Sequence, residues 1–509
     1  MKSDSSIHSD SHHTKFLVMI FILLAICTFT GFAHSGKAKY HIIIDTDGAL
    51  DDLRALCLFM ASADFEILAV TTSDGVLNPA QTLEKVQSLL KYFGHEGIPT
   101  GMGSEVLKKA PPWRPLNKTV AWSGPVGDRK ILRSRPKQTT IRDAAQIIRD
   151  ALINEKEPVV FVCLGSMTNL AEVIRTTPGM MRHIERVVWY IDTLYPPAGT
   201  NFDFDREAAQ YVLETPLRIE GITNSGIPSF LLEKTFLSGL SGLHSLYAAP
   251  ILNAHSGPEV TRLLERNHLQ FWDDLIPIYL LSSEHFTTRP VGNRAQTWQV
   301  SIKDRATMKD WISTRYAEIL TDRNRVRSKV FDGFPEDAVL FAPDVRPHMA
   351  DIIQLRGREE WRLGVLTNEL HGHLGIYAVI GTKMGLRARE WFHIGIDDIA
   401  VVSHAGKIPP LSCMNDGLQV STGGTIGHGL FSVREEGPSV PEASFSFKNR
   451  TLNLKLKEDF WSIIKNDIQE GIARFGLNTE PYWRYVRELA LRYWRDWDRR
   501  EIFEIIPSR

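Results

Sequence analysis

A dense group of carboxylates follows the first strongly apolar run after the N-terminal segment. Residues 45–52 read DTDGALDD directly behind the letters HIII, so four Asp residues fall within eight positions. Like charges this close destabilise a fold unless a cation or solvent compensates them. Oxygen ligands without nitrogen or sulfur indicate a hard cation such as Ca²⁺ or Mg²⁺ rather than Zn²⁺. The stretch therefore predicts a divalent metal site.

Two other interpretations of these carboxylates account for less of the pattern. Asp51 and Asp52 could merely complement the N-terminus of the next helix, which would explain two of the four Asp residues. An Asp-x-Asp after an apolar strand also opens haloacid-dehalogenase-type phosphatases, in which the first Asp is the nucleophile. That family usually has Thr or Val where this chain has Ala49, and it does not call for the Asp51–Asp52 pair.

The elements around this stretch predict the sheet that positions it. Apolar runs such as YHIIID, EILAVTTSDG, PVVFVCLG and RVVWYID alternate with helical periodicity. One helix ends at Gly94, and another starts from Thr168 as its N-cap and ends before Pro178. This alternation predicts an α/β fold: an open, mostly parallel, Rossmann-like sheet with helices on both faces. Ligands bind beyond the carboxyl ends of such strands, where DTDGALDD lies.

Length and charge limit the classes of protein that fit. The chain has 509 residues, enough for two or three domains, and a net charge of −1. The sequence contains no basic stripe that would indicate nucleic acid as a partner. A small molecule is therefore the expected substrate. Cys57 and Cys163 lie among apolar neighbours and are predicted to be core residues. The sequence leaves open whether the chain forms a homo-oligomer.

The N-terminus predicts export. Residues 16–33 form an uncharged apolar run preceded by Lys15, and small residues follow at Ala33 and Ser35. Residues 1–36 are therefore expected to be a signal peptide, which makes the protein periplasmic or extracellular. The alternative is an uncleaved helix that anchors the protein in the membrane.

A charged, Pro-containing stretch over residues 321–360 predicts a domain boundary. A first domain is expected over residues 38–335 and a second over residues 355–509. The second is predicted to be a smaller α+β domain, with a Gly- and His-rich middle and a Trp-rich helical C-terminal tail that packs against it.

Four ordered segments in the first domain resemble the inosine–uridine-preferring nucleoside hydrolase family. They read IIIDTDGALDDLRAL, FVCLGSMTNLAEVI, TNFDFDREAAQYVL and WDDLIPIYLLSSEHF and span about residues 40–320. The resemblance implies hydrolysis of the N-glycosidic bond of a nucleoside or related riboside, through an oxocarbenium-like sugar, with a bound Ca²⁺ ion. It places the metal on Asp47, Asp52, Asp273 and the carbonyl oxygen of Leu164.

The resemblance also implies the remaining roles at this site. Asp47 would be the general base for the attacking water, Asp51 would bind the ribose diol, and Asn201 would bind the sugar. Trp272 stands where the family usually has His, and it is expected either to stack on an aromatic leaving group or to pack in the core. Gly199 replaces a family carboxylate near the ribose 5′-hydroxyl, and Val76 replaces an Asn. These losses motivate an alternative: a metal- and ribose-binding protein without turnover or with a different specificity.

The second domain resembles the domain family named after the E subunit of formylmethanofuran dehydrogenase. The segment ELHGHLGIYAVIGTKMG carries His371 and His373, and a later segment carries Cys413 and Asp416. The resemblance implies that these four residues bind Zn²⁺ or a similar metal, although Gly375 replaces a family Cys. A structural domain with a remnant site is the alternative. A third hypothesis is a bifunctional enzyme whose second domain acts on a product of the first.

Overall fold

The computed structural model describes residues 38–124, 141–224, 231–243, 245–292, 296–303, 308–321, 330–331, 333–396 and 399–507. The predicted leader lies outside these ranges, so its cleavage and the export of the protein stay predictions. Among the described residues, no helix is both long and apolar enough to span a bilayer.

An eight-stranded sheet organises the first lobe, by which we mean residues 38–321. The strands in chain order, including the small β6–β7 pair, are β1 Tyr40–Thr46, β2 Phe65–Thr72, β3 Thr100–Met102, β4 Val159–Cys163, β5 Ile184–Tyr190, β6 Thr193–Leu194, β7 Pro197–Ala198, β8 Ile219–Ile222, β9 Phe286–Pro290 and β10 Thr297–Ile302. The sheet order is β3-β2-β1-β4-β5-β8-β10-β9, and only β9 is antiparallel to its neighbour. The predicted mostly parallel sheet is confirmed.

Helices cover both faces of this sheet. They are α1 Leu50–Ala61, α2 Pro79–Phe93, α3 Arg114–Thr119, α4 Ala144–Asn154, α5 Thr168–Thr176, α6 Thr200–Phe204, α7 Arg206–Leu213, α8 Lys234–Ser241, α9 Ala248–His255, α10 Pro258–Glu265, α11 Leu275–Leu281 and α12 Met308–Leu320. Ile42 and Ile43 of β1 belong to different apolar clusters, because successive strand residues point to opposite faces. The prediction of Thr168 as N-cap is wrong by one position, since Met167 caps α5 and Thr168 is its first helical residue.

A five-stranded sheet organises the second lobe, by which we mean residues 333–507. Its strands are β11 Ala400–Ser403, β12 Phe431–Val433, β13 Glu442–Phe447, β14 Arg450–Leu456 and β15 Phe503–Ile506, in the order β12-β11-β13-β14-β15. Its helices are α13 Arg346–Arg356, α14 Arg358–His371, α15 Ile376–Phe392, α16 Met414–Thr422, α17 Glu458–Phe475 and α18 Glu480–Asp496. Trp494 of the helical tail stacks on Trp361, with ring centroids 5.1 Å apart, so the tail packs into this lobe. The smaller α+β region with a helical C-terminus is confirmed.

The second core also includes residues before position 355. Met349 and Ile352 of α13 are buried in the same apolar cluster as Trp361. The charged, Pro-containing stretch around residue 346 thus contains a helix rather than only a linker. The exact domain limits proposed from the sequence stay predictions.

Basic side chains of the second lobe hold the carboxyl end of α2 in the first lobe. The last carbonyl groups of a helix lack partners within the helix and need external donors. Arg500 donates to the carbonyl oxygen of Phe93 at 2.8 Å, and Arg387 donates to that of Gly94 at 2.7 Å. Arg387 also pairs with both carboxylate oxygens of Glu96 at 3.1 Å. Residues 38–509 accordingly form one compact unit.

Candidate active site

The acidic stretch lies at the carboxyl edge of the first sheet. Asp45 is aligned with Thr71 of β2 and with Cys163 of β4, so the ends of three adjacent strands meet there. Gly48 has a φ of 87°, a left-handed conformation that favours glycine, and it turns the chain into helix α1. The turn thereby places Asp47 at the strand end and Asp51 and Asp52 in the first turn of the helix.

One oxygen of Asp52 organises this turn and leaves the other available. Asp52 Oδ2 accepts hydrogen bonds from Thr46 Oγ1 at 2.5 Å, from the Asp47 amide at 3.0 Å and from the Gly48 amide at 3.1 Å. Asp52 Oδ1 is buried without a hydrogen-bond partner in the described structure. Since a buried carboxylate oxygen needs a donor or a cation, Oδ1 is a candidate metal ligand.

Three carboxylates converge from two segments of the chain. Asp51, Asp52 and Asp273 each offer an oxygen, and the three oxygens lie within 4.8 Å of one another. Within the described ranges, Asp273 Oδ1 and both carboxylate oxygens of Asp47 are also buried without hydrogen-bond partners. Four acidic side chains thus share one small region, and the donor set fits a hard divalent cation.

The electrostatics of this cluster point in the same direction. Burial raises the pKa of Asp47 well above its usual value, and the charge of Asp52 raises it further. Burial, then Asp51 and Asp52, likewise raise the pKa of Asp273 well above its usual value. The pKa of Asp51 rises to about 7 for the same two kinds of reason, burial and the Asp52 charge. A cation among these side chains would restore their ionised forms.

Two glycines frame Asp47. A Cβ atom on Gly75 would overlap the Asp47 carboxylate, and one on Gly165 would come within 2.8 Å of its Cβ. Gly75 follows strand β2 and Gly165 follows β4, so both neighbouring strand ends leave room for this one side chain. The fold therefore fixes the direction of Asp47 tightly.

Asn201 and Leu164 meet beside the acidic cluster. Asn201 Nδ2 donates to the carbonyl oxygen of Leu164 at 3.0 Å and to that of Tyr190 at 3.2 Å. The carbonyl oxygen predicted as a metal ligand and the amide predicted to bind sugar are thus adjacent. The assignments of Asp47, Asp52, Asp273 and Leu164 to the metal, and of Asp51 and Asn201 to the sugar, stay predictions.

Asp192 lies beside Gly199, the position where the family resemblance implies a carboxylate. Asp192 follows strand β5 by two residues, and its Oδ2 lies 3.0 Å from the point that a Cβ on Gly199 would occupy. Burial, then Asp203, raise the pKa of the Asp192 carboxyl above its usual value. The sequence alone does not indicate Asp192, because the contact joins two segments seven positions apart through the β6–β7 pair.

Trp272 is half-buried at the edge of the first core and precedes the cluster member Asp273. Its backbone amide donates to Asp274 Oδ1 at 2.7 Å, which fixes the direction of the chain at this point. Asp274 in turn pairs with Arg54 of helix α1. Neither Arg54 nor Asp274 was among the predicted site residues, although a lone Arg inside the apolar run LRALCLFMA is a signal for a buried partner.

The second lobe brings together part of its predicted metal site. His371 Nδ1 lies 2.7 Å from Asp416 Oδ2, and the rings of His371 and His373 lie 4.3 Å apart. His371 Nε2 is buried without a hydrogen-bond partner in the described structure. A Cβ on Gly375 would lie 3.1 Å from this atom and 3.4 Å from His373 Nε2, so both nitrogens face the same space. Cys413, at the N-terminus of α16, is free and half-buried.

Among the described residues, only two groups of three ligand-type side chains converge within 4.8 Å, and the second-lobe residues are not one of them. The other group contains His41, Glu66 and Glu155. Lys448 pairs with both of those glutamates, so a cationic side chain already compensates their charge.

Family models match both lobes. A model described as inosine-uridine preferring nucleoside hydrolase matches residues 42–327. A model described as FmdE, molybdenum formylmethanofuran dehydrogenase operon, matches residues 370–504. The first match spans more than half of the 509 residues.

Relatives and solved structures are similar to the first lobe. The non-specific ribonucleoside hydrolase RihC of Salmonella paratyphi A is 28% identical over 223 residues, which cover 41% of this chain and 72% of that protein. A purine-preferring ribonucleoside hydrolase from Gardnerella vaginalis superposes with a TM-score of 0.46 at 16% identity, over 55% of this chain and 99% of that one. An inosine-uridine preferring nucleoside hydrolase from Bacillus anthracis gives a TM-score of 0.43 at 16% identity, over 55% and 99%.

Proposed function

Because the chain belongs to the inosine-uridine preferring nucleoside hydrolase family, we propose that it hydrolyses the N-glycosidic bond of a riboside with Ca²⁺ at the acidic cluster. The observation that carries the proposal is the convergence of Asp51, Asp52 and Asp273, beside an Asp47 whose two oxygens are buried without hydrogen-bond partners among the described residues. Hard oxygen ligands in this number favour Ca²⁺ over a softer metal. The substrate class is a ribonucleoside or a related small riboside.

The residues of the site suit an N-glycosidic hydrolysis. A Ca²⁺ ion, when bound, would supply the Lewis acidity that makes a water molecule acidic enough for a carboxylate to deprotonate. Asp47 would accept that proton at a carboxylate oxygen, for which the two glycines around it leave room. The remaining carboxylates would stabilise the positive charge that develops on the sugar as the bond to the leaving group breaks.

Asp51 and Asn201 are proposed to hold the sugar. Asp51 is partly exposed at the start of α1, so its carboxylate can accept hydrogen bonds from the ribose diol. Asn201 lies against the carbonyl oxygens of Leu164 and Tyr190, which orient its amide. Trp272 is half-buried beside Asp273 and is proposed to contact the leaving group with its exposed part.

A release assay tests this proposal. Protein lacking residues 1–36 would be incubated with Ca²⁺ and purine, pyrimidine and nicotinamide ribosides, and free reducing sugar would be measured. Wild type is expected to release sugar, while Asp47→Asn, which keeps the shape but not the basicity, is expected to lose at least about a hundredfold in rate. Asp344→Asn, a change of an exposed carboxylate of the second lobe that pairs with Arg487, serves as the matched control and should retain the wild-type rate.

The same assay tests the alternative of a binding protein. Calcium binding and riboside-induced thermal stabilisation without sugar release would overturn the hydrolase and favour the binding function. The replacement of the usual His by Trp272 and of a carboxylate by Gly199 is the observation that keeps this alternative in view.

For the second lobe we propose a metal site that uses His371, His373, Asp416 and Cys413. The His371–Asp416 contact leaves Nε2 of His371 as the unprotonated nitrogen, the arrangement typical of a metal-binding imidazole with a carboxylate behind it. Both Nε2 atoms face the space beside Gly375. Zinc content of the purified protein, compared with His371→Ala and with Gly375→Cys, tests it: loss in the first variant and tighter binding in the second are expected. Equal zinc content in all three proteins would exclude the site.

A further inference from the structure

Arg54 connects the two chain segments that carry the acidic cluster. It is fully buried on helix α1, two positions after Asp52, and its Nε donates to Asp274 Oδ2 at 2.9 Å. Its Nη2 donates to the carbonyl oxygen of Gln270 at 2.8 Å. One guanidinium group thus joins the helix that bears Asp52 to the segment that bears Asp273.

Asp274 receives hydrogen bonds from three directions. Besides Arg54, the Tyr316 hydroxyl donates to Oδ2 at 2.5 Å, and the Trp272 amide donates to Oδ1 at 2.7 Å. Both Asp274 and Tyr316 are fully buried. The carboxylate therefore has fixed partners on helices α1 and α12 and on its own loop, and this determines the backbone path on both sides of Asp273.

The remaining side chain in contact with the Arg54 guanidinium, His255, is uncharged and has a fixed orientation. His255 Nδ1 lies 2.7 Å from the carbonyl oxygen of Ile251 and must donate to it, so Nε2 accepts from Arg54 Nη1 at 3.4 Å. Burial and the nearby Arg54 charge lower the pKa of His255 to about 3, which keeps the ring uncharged. The Arg54 charge thus has Asp274 as its ionic partner in this network.

We propose that the buried Arg54–Asp274 ion pair positions Asp273 against Asp52 and so sets the affinity of the acidic cluster for its divalent cation. The polar atoms of both side chains are occupied by protein partners, so we assign Arg54 and Asp274 as positioning residues. The inference rests on the proposed function, because it assumes that the cluster binds a metal. Residues that orient metal ligands in this way typically change metal affinity by about 10–100-fold.

Energetics supports a positioning role over a stabilising one. A fully buried ion pair contributes little net stability, because removing both charges from water costs about as much as their attraction returns. If the pair only stabilised the fold, two apolar residues of similar volume would stabilise it equally well. Arg54 also contacts Gln270 and His255, and these contacts orient the guanidinium and the chain segment before Asp273. A segment that carries a metal ligand needs such a fixed orientation.

Two variants test the inference in the full chain. Asp274→Asn keeps the shape of the side chain and removes its charge, and Tyr316→Phe removes a single hydroxyl donor to it. Calcium affinity would be measured by calorimetry, and hydrogen exchange of the peptide spanning residues 268–281 would be measured without metal. We expect at least about tenfold weaker calcium binding for Asp274→Asn and a smaller loss for Tyr316→Phe, each with faster exchange of that peptide.

The second lobe provides a matched control. Lys383 and Glu360 form another fully buried ion pair, far from the acidic cluster in sequence and in a different core. Glu360→Gln should lower the melting temperature and leave calcium affinity unchanged. Wild-type calcium affinity and exchange in both folded test variants would overturn the inference. If wild type binds no calcium, the proposed function fails, and the metal-free exchange result still decides whether the pair positions the loop.

Discussion

The imidazole of His393 donates from Nε2 to the carbonyl oxygen of Met60 at 2.9 Å. Met60 lies in the last turn of helix α1, and His393 caps the end of helix α15 in a left-handed conformation with a φ of 57°. The two helices therefore meet at their carboxyl ends. The other end of α1 carries Asp51 and Asp52, and the other end of α15 adjoins Gly375 and the paired histidines.

Removal of the Arg387 guanidinium, which caps the carboxyl end of α2, should destabilise the fold. Arg387→Ala leaves the Gly94 carbonyl without this donor and Glu96 without its partner, so we expect the free energy of unfolding to fall by about 2 kcal/mol. Chemical denaturation monitored by far-UV circular dichroism measures it. Arg474→Ala, which breaks an exposed i,i+4 pair with Glu470, is the control and should change stability by less than about 0.5 kcal/mol. Equal effects of the two substitutions would contradict a shared interface.

Calcium should reverse the order of stability of wild type and the variant Asp52→Asn. Asp52→Asn removes a charge from the acidic cluster, so the metal-free variant is expected to be at least as stable as metal-free wild type. Calcium at about 100 times its dissociation constant should stabilise wild type by about 2.7 kcal/mol and leave the variant unchanged. Thermal unfolding with calcium and with a chelator measures both. An equal calcium response in the two proteins would remove Asp52 from the metal site.

Asp192 should affect substrate affinity more than turnover. Its exposed carboxylate stands beside Gly199, which lies two positions before Asn201, the residue proposed to bind the sugar. For Asp192→Asn we expect KM for a riboside to rise about tenfold, equivalent to about 1.4 kcal/mol, while kcat changes less. Steady-state kinetics at fixed calcium gives both constants. A fall in kcat with KM unchanged would place Asp192 in the chemical step instead.

Acid should weaken the junction through Glu390. Burial alone would raise the pKa of this carboxyl, but Arg499 and Arg500 outweigh it and hold the pKa well below its usual value of 4.5. A lowered folded-state pKa means that the ionised group stabilises the fold above about pH 4.5, and that this contribution is lost as the pH falls below it. Glu390→Gln should cost about 3 kcal/mol at about pH 7 and show a shallower loss of stability between about pH 4.5 and 3.

Urea denaturation of wild type and Glu390→Gln across this pH range tests the predicted direction of the change in stability. Glu458→Gln, a change of an exposed carboxylate paired with Lys465, is the control and should follow wild type. A steeper acid response in Glu390→Gln than in wild type would contradict the prediction.

Local patterns were sufficient to predict the central strands and the carboxylate-rich turn. The run HIII reads as a buried strand because its three isoleucines are consecutive and apolar, and Ile42, Ile43 and Ile44 are fully buried. Gly94 and Pro178 mark helix ends through their own backbone preferences. Such signals lie within a few residues of the feature they determine, so a single sequence contains them.

Contacts between distant segments could not be predicted in the same way. The Arg54–Asp274 pair spans 220 positions, and the Arg500 contact with Phe93 spans 407. Each depends on the packing of helices whose relative placement no local periodicity encodes. The prediction of Thr168 as the N-cap was wrong for a smaller reason: Met167 already adopts the non-helical conformation that precedes the helix.

The junction between the lobes also limits how such a chain can change over generations. A side chain at Gly97 would collide with Trp391, and the Gly97 carbonyl accepts a hydrogen bond from Arg450 at 2.7 Å. A substitution on the first-lobe side of this contact therefore requires a compensating substitution on the second-lobe side. We expect the two lobes to diversify together. Among homologous fusions, positions 94–97 should covary with positions 387–393 and 450. A chimera that exchanges one half alone should aggregate unless its donor matches those positions.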